Sequence, residues 1–257
     1  MRRQKLTFEK HCVLLTKEGE IRYLLKRSSA RRSLVISIDE KAHVRVSAPY
    51  QMQSKVLEDF IHHKAKWVMN KVREATNNQS ILKSRQYADG HEFLFLGKKC
   101  PLHVKVNAFI KRAKIQFIDH MWLIDLPQGI DRCEEEGVIK KILTKWYRQQ
   151  ALEYLGGRVF HFARMIGVEP ARISVKTQKR MWGCCDYNTK SIYLNWQIIL
   201  SPPSVVDYVV VHELCHLIHP NHSKRFWNKV RKILPEYEHE KRWLKEHFLD
   251  MVLPEIP

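Results

Sequence analysis

Apolar and polar positions alternate through the first part of the chain with a period of two, which predicts strands. Residues 8–16 and 20–26 flank a Lys-Glu-Gly-Glu turn, and residues 33–38 and 44–47 form a second hairpin around Asp39-Glu40, closed by Pro49. The period then lengthens. Residues 56–72, with Phe60, Ile61, Ala65, Trp67 and Val68 on one side, predict an amphipathic helix whose His62, His63, Lys64 and Lys66 form a solvated face. Asn77-Asn78-Gln79-Ser80 reads as a loop. Short alternating runs at 93–95, 103–106, 115–118 and 122–124 complete a largely antiparallel sheet region, with a boundary expected near residues 126–131.

Helical periodicity dominates the second half. Residues 134–166 put Val138, Ile142, Trp146, Leu152, Leu155, Val159, Phe162 and Met165 on a core face, with Gly156-Gly157 as a point of kinking or division. Strands at 173–176 and 191–195 follow, joined by a Trp182-Gly183 loop; the second offers an edge to which an extended peptide could add. Ser201-Pro202-Pro203-Ser204 stops that strand. Ser204 and Asp207 have the spacing of a capping box, and Val206, Val210, Leu214 and Leu217 supply an apolar stripe. Pro220 ends this helix. Ser223 or Asn221 caps the next, with apolar positions Phe226, Val230, Ile233 and Leu234, and Trp243, Leu244, Phe248 and Leu249 mark a last packed helix.

On the helix before Pro220, His212 and His216 are four apart, so their imidazoles share a face. Two neutral imidazoles about 2 Å from one zinc ion need that arrangement. Glu213, beside the first histidine, stands where a carboxylate can take a proton from water held by the ion, completing H-E-x-x-H. The pattern alone occurs by chance in helices; a third histidine, His222, beyond the Pro220-Asn221 turn strengthens it and leaves a fourth position for water. His219 is expected beside the site or at the surface, and Cys215 as a small buried side chain. Asn195, His219 and the 179–182 loop are candidates to stabilise an oxyanion by sequence proximity.

The stretch VKTQKRMWGCCDYNTKSIYLNWQIILSPPSVVDYVVVHELCHLIHPNHSKRFW, residues 175–227, resembles the YgjP-like metallopeptidase-fold family of predicted metal-dependent hydrolases, distantly similar to WLM and SprT-like metalloproteases. RRSLVISIDEKAHVRVSAP (31–49) and FLGKKCPLHV (95–104) extend the resemblance over most of the chain. It implies ligands at His212, His216 and His222, a catalytic glutamate at Glu213, and zinc or another divalent transition metal as cofactor. Met181, Cys184 and Cys215 depart from the residues expected of the family. The His-Glu-x-x-His-x5-His spacing is similar to that of metzincins, but His219 replaces their turn glycine, so that label is not transferred. The fold expected is α+β: an N-terminal, mostly antiparallel β region with a helix over 1–130, followed by a small zincin-like metalloprotease core over 131–257.

Composition narrows the context. The chain has 257 residues, 44% hydrophobic and 28% charged, enough apolar content for a folded core. It contains no long apolar run for a membrane span, and the basic start MRRQK lacks the continuation of a signal peptide. Six cysteines without a disulfide framework point to a reducing, cytoplasmic setting, and adjacent Cys184-Cys185 cannot easily chelate one ion. The formal net charge of +18 attracts anions. A peptide or protein substrate is favoured; the charge keeps open a metal-dependent nucleotide phosphohydrolase, or a non-enzymatic nucleic-acid or partner-binding module with a structural metal.

Overall fold

Two antiparallel hairpins open the chain. β1 (Thr7–Thr16) pairs with β2 (Gly19–Ser28), and β3 (Val35–Ile38) with β4 (Val44–Pro49). The hairpins join through β2 and β4, which run parallel, so the sheet order is β1-β2-β4-β3. Helix α1 (Ser54–Lys83) lays Leu57, Ile61, Ala65 and Val68 on Tyr23, Leu25, Val46 and Ala48. Trp67, expected on the apolar face, is exposed. The helix also runs on through Asn77-Asn78-Gln79-Ser80, where a loop was expected. Those residues are mediocre helix formers rather than breakers, and neither Gly nor Pro stands among them; Gln79 Nε2 donates to the Glu40 carbonyl at 2.8 Å. This computed structural model describes residues 6–83, 85–178 and 181–254; the MRRQK start lies outside them.

The same arrangement recurs in β5 (Glu92–Phe95), β6 (Lys98–Asn107), β7 (Lys114–Ile118) and β8 (Met121–Pro127), ordered β5-β6-β8-β7 with β6 and β8 parallel and followed by a long helix, α2 (Arg132–Ile166). β4 and β8 both end in proline, Pro49 and Pro127. Each sheet is mixed but mostly antiparallel, as expected: two of its three strand pairs are antiparallel hairpins, and the third, which joins them side by side in the same sense, is parallel. The chain divides into Met1–Ser84 and Arg85–Pro257, not near residues 126–131. The reason is packing: Leu102, Trp122, Ile124 and Leu126 of the second sheet share one apolar cluster with Leu143, Tyr147 and Leu155 of α2 and with the later helices.

α2 is continuous across Gly156-Gly157. Its buried stripe is Ile139, Leu143, Tyr147, Ala151, Leu155, Val159, Phe162 and Ile166, rotated from the one expected, so that Leu152 and Met165 are exposed. Tyr147 helps set that rotation, since its hydroxyl donates to the Leu94 carbonyl at 2.6 Å.

β9 (Arg172–Lys176), β10 (Gly183–Asp186) and β11 (Ser191–Asn195) form a small sheet in the order β10-β11-β9. β10 occupies what was expected to be a loop, and β11 is central rather than an edge. A 3-10 turn (Trp196–Leu200) leads into α3 (Pro203–His216), then α4 (Lys224–Ile233), α5 (Tyr237–Glu246) and a final 3-10 turn (Phe248–Met251).

The start of α3 is fixed from two sides. The β5–β6 turn donates Leu96 N to Ile199 O at 2.8 Å and Gly97 N to Leu200 O at 3.1 Å. Gly97 has φ +77°, and a Cβ there would lie 2.8 Å from the Pro202 ring and 2.9 Å from its Cα, so both conformation and space require glycine. The expected Ser204–Asp207 capping box does not form. Pro202 is the N-cap, without a side-chain bond, and Asp207 instead accepts from Arg158 of α2 through two bonds of 2.6 and 2.7 Å.

Candidate metal centre

α3 is buried nearly all round, by Val205, Val206, Tyr208, Val209, Val210, Val211, Leu214 and Cys215. Such enclosure goes beyond the single stripe expected, and it explains how a valine-rich segment stays helical: packing outweighs the small propensity deficit of β-branched residues. His212 and His216 emerge together near the helix end. Residues 217–223 then turn the chain back, Ser223 caps α4 by accepting from Phe226 N, and His222 arrives opposite the pair.

The three Nε2 atoms converge: His212 to His216 is 3.2 Å, His216 to His222 is 3.2 Å, and His212 to His222 is 3.0 Å. His216 Nδ1 donates to the His219 carbonyl at 3.1 Å, which leaves its Nε2 as a lone pair. Burial, followed by the charges of His216, His222 and Lys241, holds the His212 pKa down to about 3, and burial lowers that of His216. Neutral imidazoles aimed at one point repel unless a cation lies among them. Nitrogens about 2.0–2.1 Å from a tetrahedral zinc ion are about 3.3–3.4 Å apart, so this donor set fits such an ion closely. Among the described residues, it is the one His/Cys/Asp/Glu group gathered closely enough to hold a metal.

Aromatic side chains restrain the imidazoles. The fully buried Phe226 ring lies 4.5 Å from His216, 4.9 Å from His222 and 5.0 Å from His212. Trp227 stacks on His222 at 5.5 Å, Tyr237 of α5 on Trp227 at 5.3 Å, and Tyr208 on Tyr237 at 6.2 Å. Lys241 places Nζ 4.3 Å over Trp227. Phe226 was anticipated from helical spacing. The stacking of Trp227, Tyr208 and Tyr237 had no local signal, because it depends on how α5 folds back on α3. Nδ1 of His212 is buried and meets no hydrogen-bonding group among the described residues.

Glu213 occupies the adjoining face, against β10, and is 6% exposed. Burial raises its pKa to about 8. The cysteines stay outside the cluster: burial, the largest cause in each, pushes the Cys185 and Cys215 thiols up to about 11, away from the thiolate a metal needs.

The oxyanion candidates resolve differently. Asn195 is buried and gives its amide hydrogens to the carbonyls of Gln178 at 2.9 Å and Met181 at 3.3 Å, while its Oδ1 accepts from Gln197 N; it clamps the loop. His219 contributes its backbone carbonyl. Lys179 and Arg180 lie outside the described residues.

The sequence profile of the YgjP-like, metallopeptidase domain family matches residues 32–247. Among solved structures, the metallopeptidase zymogen abylysin of Pyrococcus abyssi is similar at 19% identity and TM-score 0.33, covering 36% of this chain and 93% of that one. The metallopeptidase zymogen jannalysin of Methanocaldococcus jannaschii is similar at 20% identity and TM-score 0.34, covering 37% and 96%. No curated protein sequence matches the chain. No helix among the described residues is long and apolar enough to cross a membrane.

Proposed function

The chain belongs to the YgjP-like metallopeptidase-domain family, and on that premise we propose that it is a zinc-dependent peptidase in which His212, His216 and His222 hold the ion and Glu213 is the general base. The observation that carries this reading is the convergence of three imidazole Nε2 atoms within 3.0–3.2 Å, one residue from a buried carboxylate. When bound, zinc supplies a Lewis acid that acidifies water and favours negative charge on a carbonyl oxygen.

The protein's own groups do the rest. The His219 carbonyl sets the tautomer of His216, and Phe226 and Trp227 hold the rings against rotation and keep water from their backs. Glu213, buried beside the histidines, takes the proton of the attacking water and returns it to the leaving amine. β10 pairs with β11 on one side and ends the sheet on the other, beside α3. An extended peptide added there as a further strand would run past Glu213. That edge favours a peptide over a phosphoester.

Zinc-reconstituted protein should cleave fluorescein-labelled casein or a fluorogenic peptide pool, and Glu213→Gln should lower the rate at least ~10²-fold with zinc retained. Absence of peptide cleavage, together with Glu213-dependent phosphate release from nucleoside triphosphates, would replace this reading with a phosphohydrolase.

A further inference from the structure

Gly183 opens β10 opposite Leu194 of β11, and its φ lies outside the left-handed region. An L-residue could adopt this backbone. Glycine inside a strand weakens it and commonly marks a place where another group approaches closely. Here that group is the acid: a Cβ on Gly183 would stand 2.6 Å from both Cγ and Oε1 of Glu213 and 2.8 Å from Cδ, far inside ordinary contact of about 3.5–4.0 Å. Three atoms of one side chain crowd the same point, so a small rotation of the carboxylate does not relieve the overlap. The neighbours of Glu213 on α3, Val209, Val210 and Leu214, are buried and leave the side chain little room elsewhere.

We propose that Gly183 is a positioning residue: the notch left by its missing side chain is where Glu213 is lodged against β10, beside the three histidines. The proposal rests on the reading of Glu213 as general base and adds what places it. Any side chain at position 183 drives the carboxylate out of the notch while leaving the imidazole cluster, which lies farther from that Cβ than the carboxylate does, able to take up metal. β10 then has two roles, a free edge for an extended chain and a gap that fixes the acid beside that edge.

The test combines a double-mutant cycle with kinetics on the full chain. In urea unfolding of metal-free protein, Gly183→Ala should lower the folding equilibrium constant at least about fivefold in the wild-type background and have no such effect in Glu213→Ala, where the new methyl has room. Zinc-loaded Gly183→Ala should keep its zinc stoichiometry and lose about 30- to 100-fold in kcat on fluorescein-labelled casein, with KM within about threefold of wild type. An equal stability change in both backgrounds overturns the proposal, as does an undiminished kcat. Should the wild-type protein cleave no casein or peptide, the peptidase reading falls, while the unfolding cycle still decides whether the notch lodges Glu213.

Discussion

Replacing Glu213 by glutamine in the metal-free protein removes a titrating group without changing its shape, and the structure sets the sign of the result. Burial raises the folded-state pKa of Glu213 from 4.5 to about 8. The unfolded chain releases this proton above about pH 4.5, whereas the folded one keeps it until about pH 8, so stability contributed by the protonated acid is complete below 4.5 and is lost as pH rises to 8. At about 1.4 kcal/mol per unit, the loss is on the order of 3–5 kcal/mol. The lowered pKa values of His212 and His216 act oppositely, strengthening the fold as pH rises toward 6.5, but both proteins share them and they cancel in the difference. Urea unfolding after chelation, at pH 5 and pH 8.5, measures that difference. Glu213→Gln should gain on wild type by several kcal/mol between the two pH values. Parallel pH profiles would refute the idea that the carboxyl is buried in the absence of metal.

Three further substitutions probe the supports of the site. Phe226→Ala should cost about 3–5 kcal/mol in equilibrium unfolding and weaken zinc binding about 10- to 100-fold in a chelator competition, because its ring lies against all three imidazoles. Arg158→Gln breaks a partly buried two-bond ion pair and should cost about 1.5–3 kcal/mol by the same assay while leaving zinc stoichiometry unchanged, since Asp207 lies at the far end of α3 from the histidines. Gly97→Ala meets both a left-handed backbone and the Pro202 ring, and should lower the unfolding midpoint with a loss of at least about 1–2 kcal/mol.

How far the sequence could be read depended on whether the determining contacts were local. Helical spacing brought His212 beside His216, and the proline turn followed by a Ser223 cap was enough to return His222. Alternation likewise located most of the strands. It could not supply their neighbours: the parallel pairs β2–β4 and β6–β8 depend on contacts about twenty residues apart in sequence, and with them went the repeated four-strand-and-helix arrangement. β10 was missed because Gly-Cys-Cys-Asp has no alternation of its own and becomes a strand by pairing with β11 and packing on α3. Asp207 shows the converse. Its spacing from Ser204 suited a cap, but Pro202 and Pro203 took the helix start and Arg158, forty-nine residues earlier, took the carboxylate.

In the proposed function, three histidines form one metal site with Glu213 beside the ion and outside its ligand set. X-ray absorption at the zinc edge of the reconstituted protein, recorded for wild type and Glu213→Gln, reads that ligand set. The wild-type spectrum should show three imidazole nitrogens at about 2.0–2.1 Å with a light-atom fourth neighbour and no sulfur, and the variant should give the same spectrum with full zinc content. Sulfur scattering at about 2.3 Å, a fourth protein ligand, or loss of the ion on replacing Glu213 would contradict that arrangement.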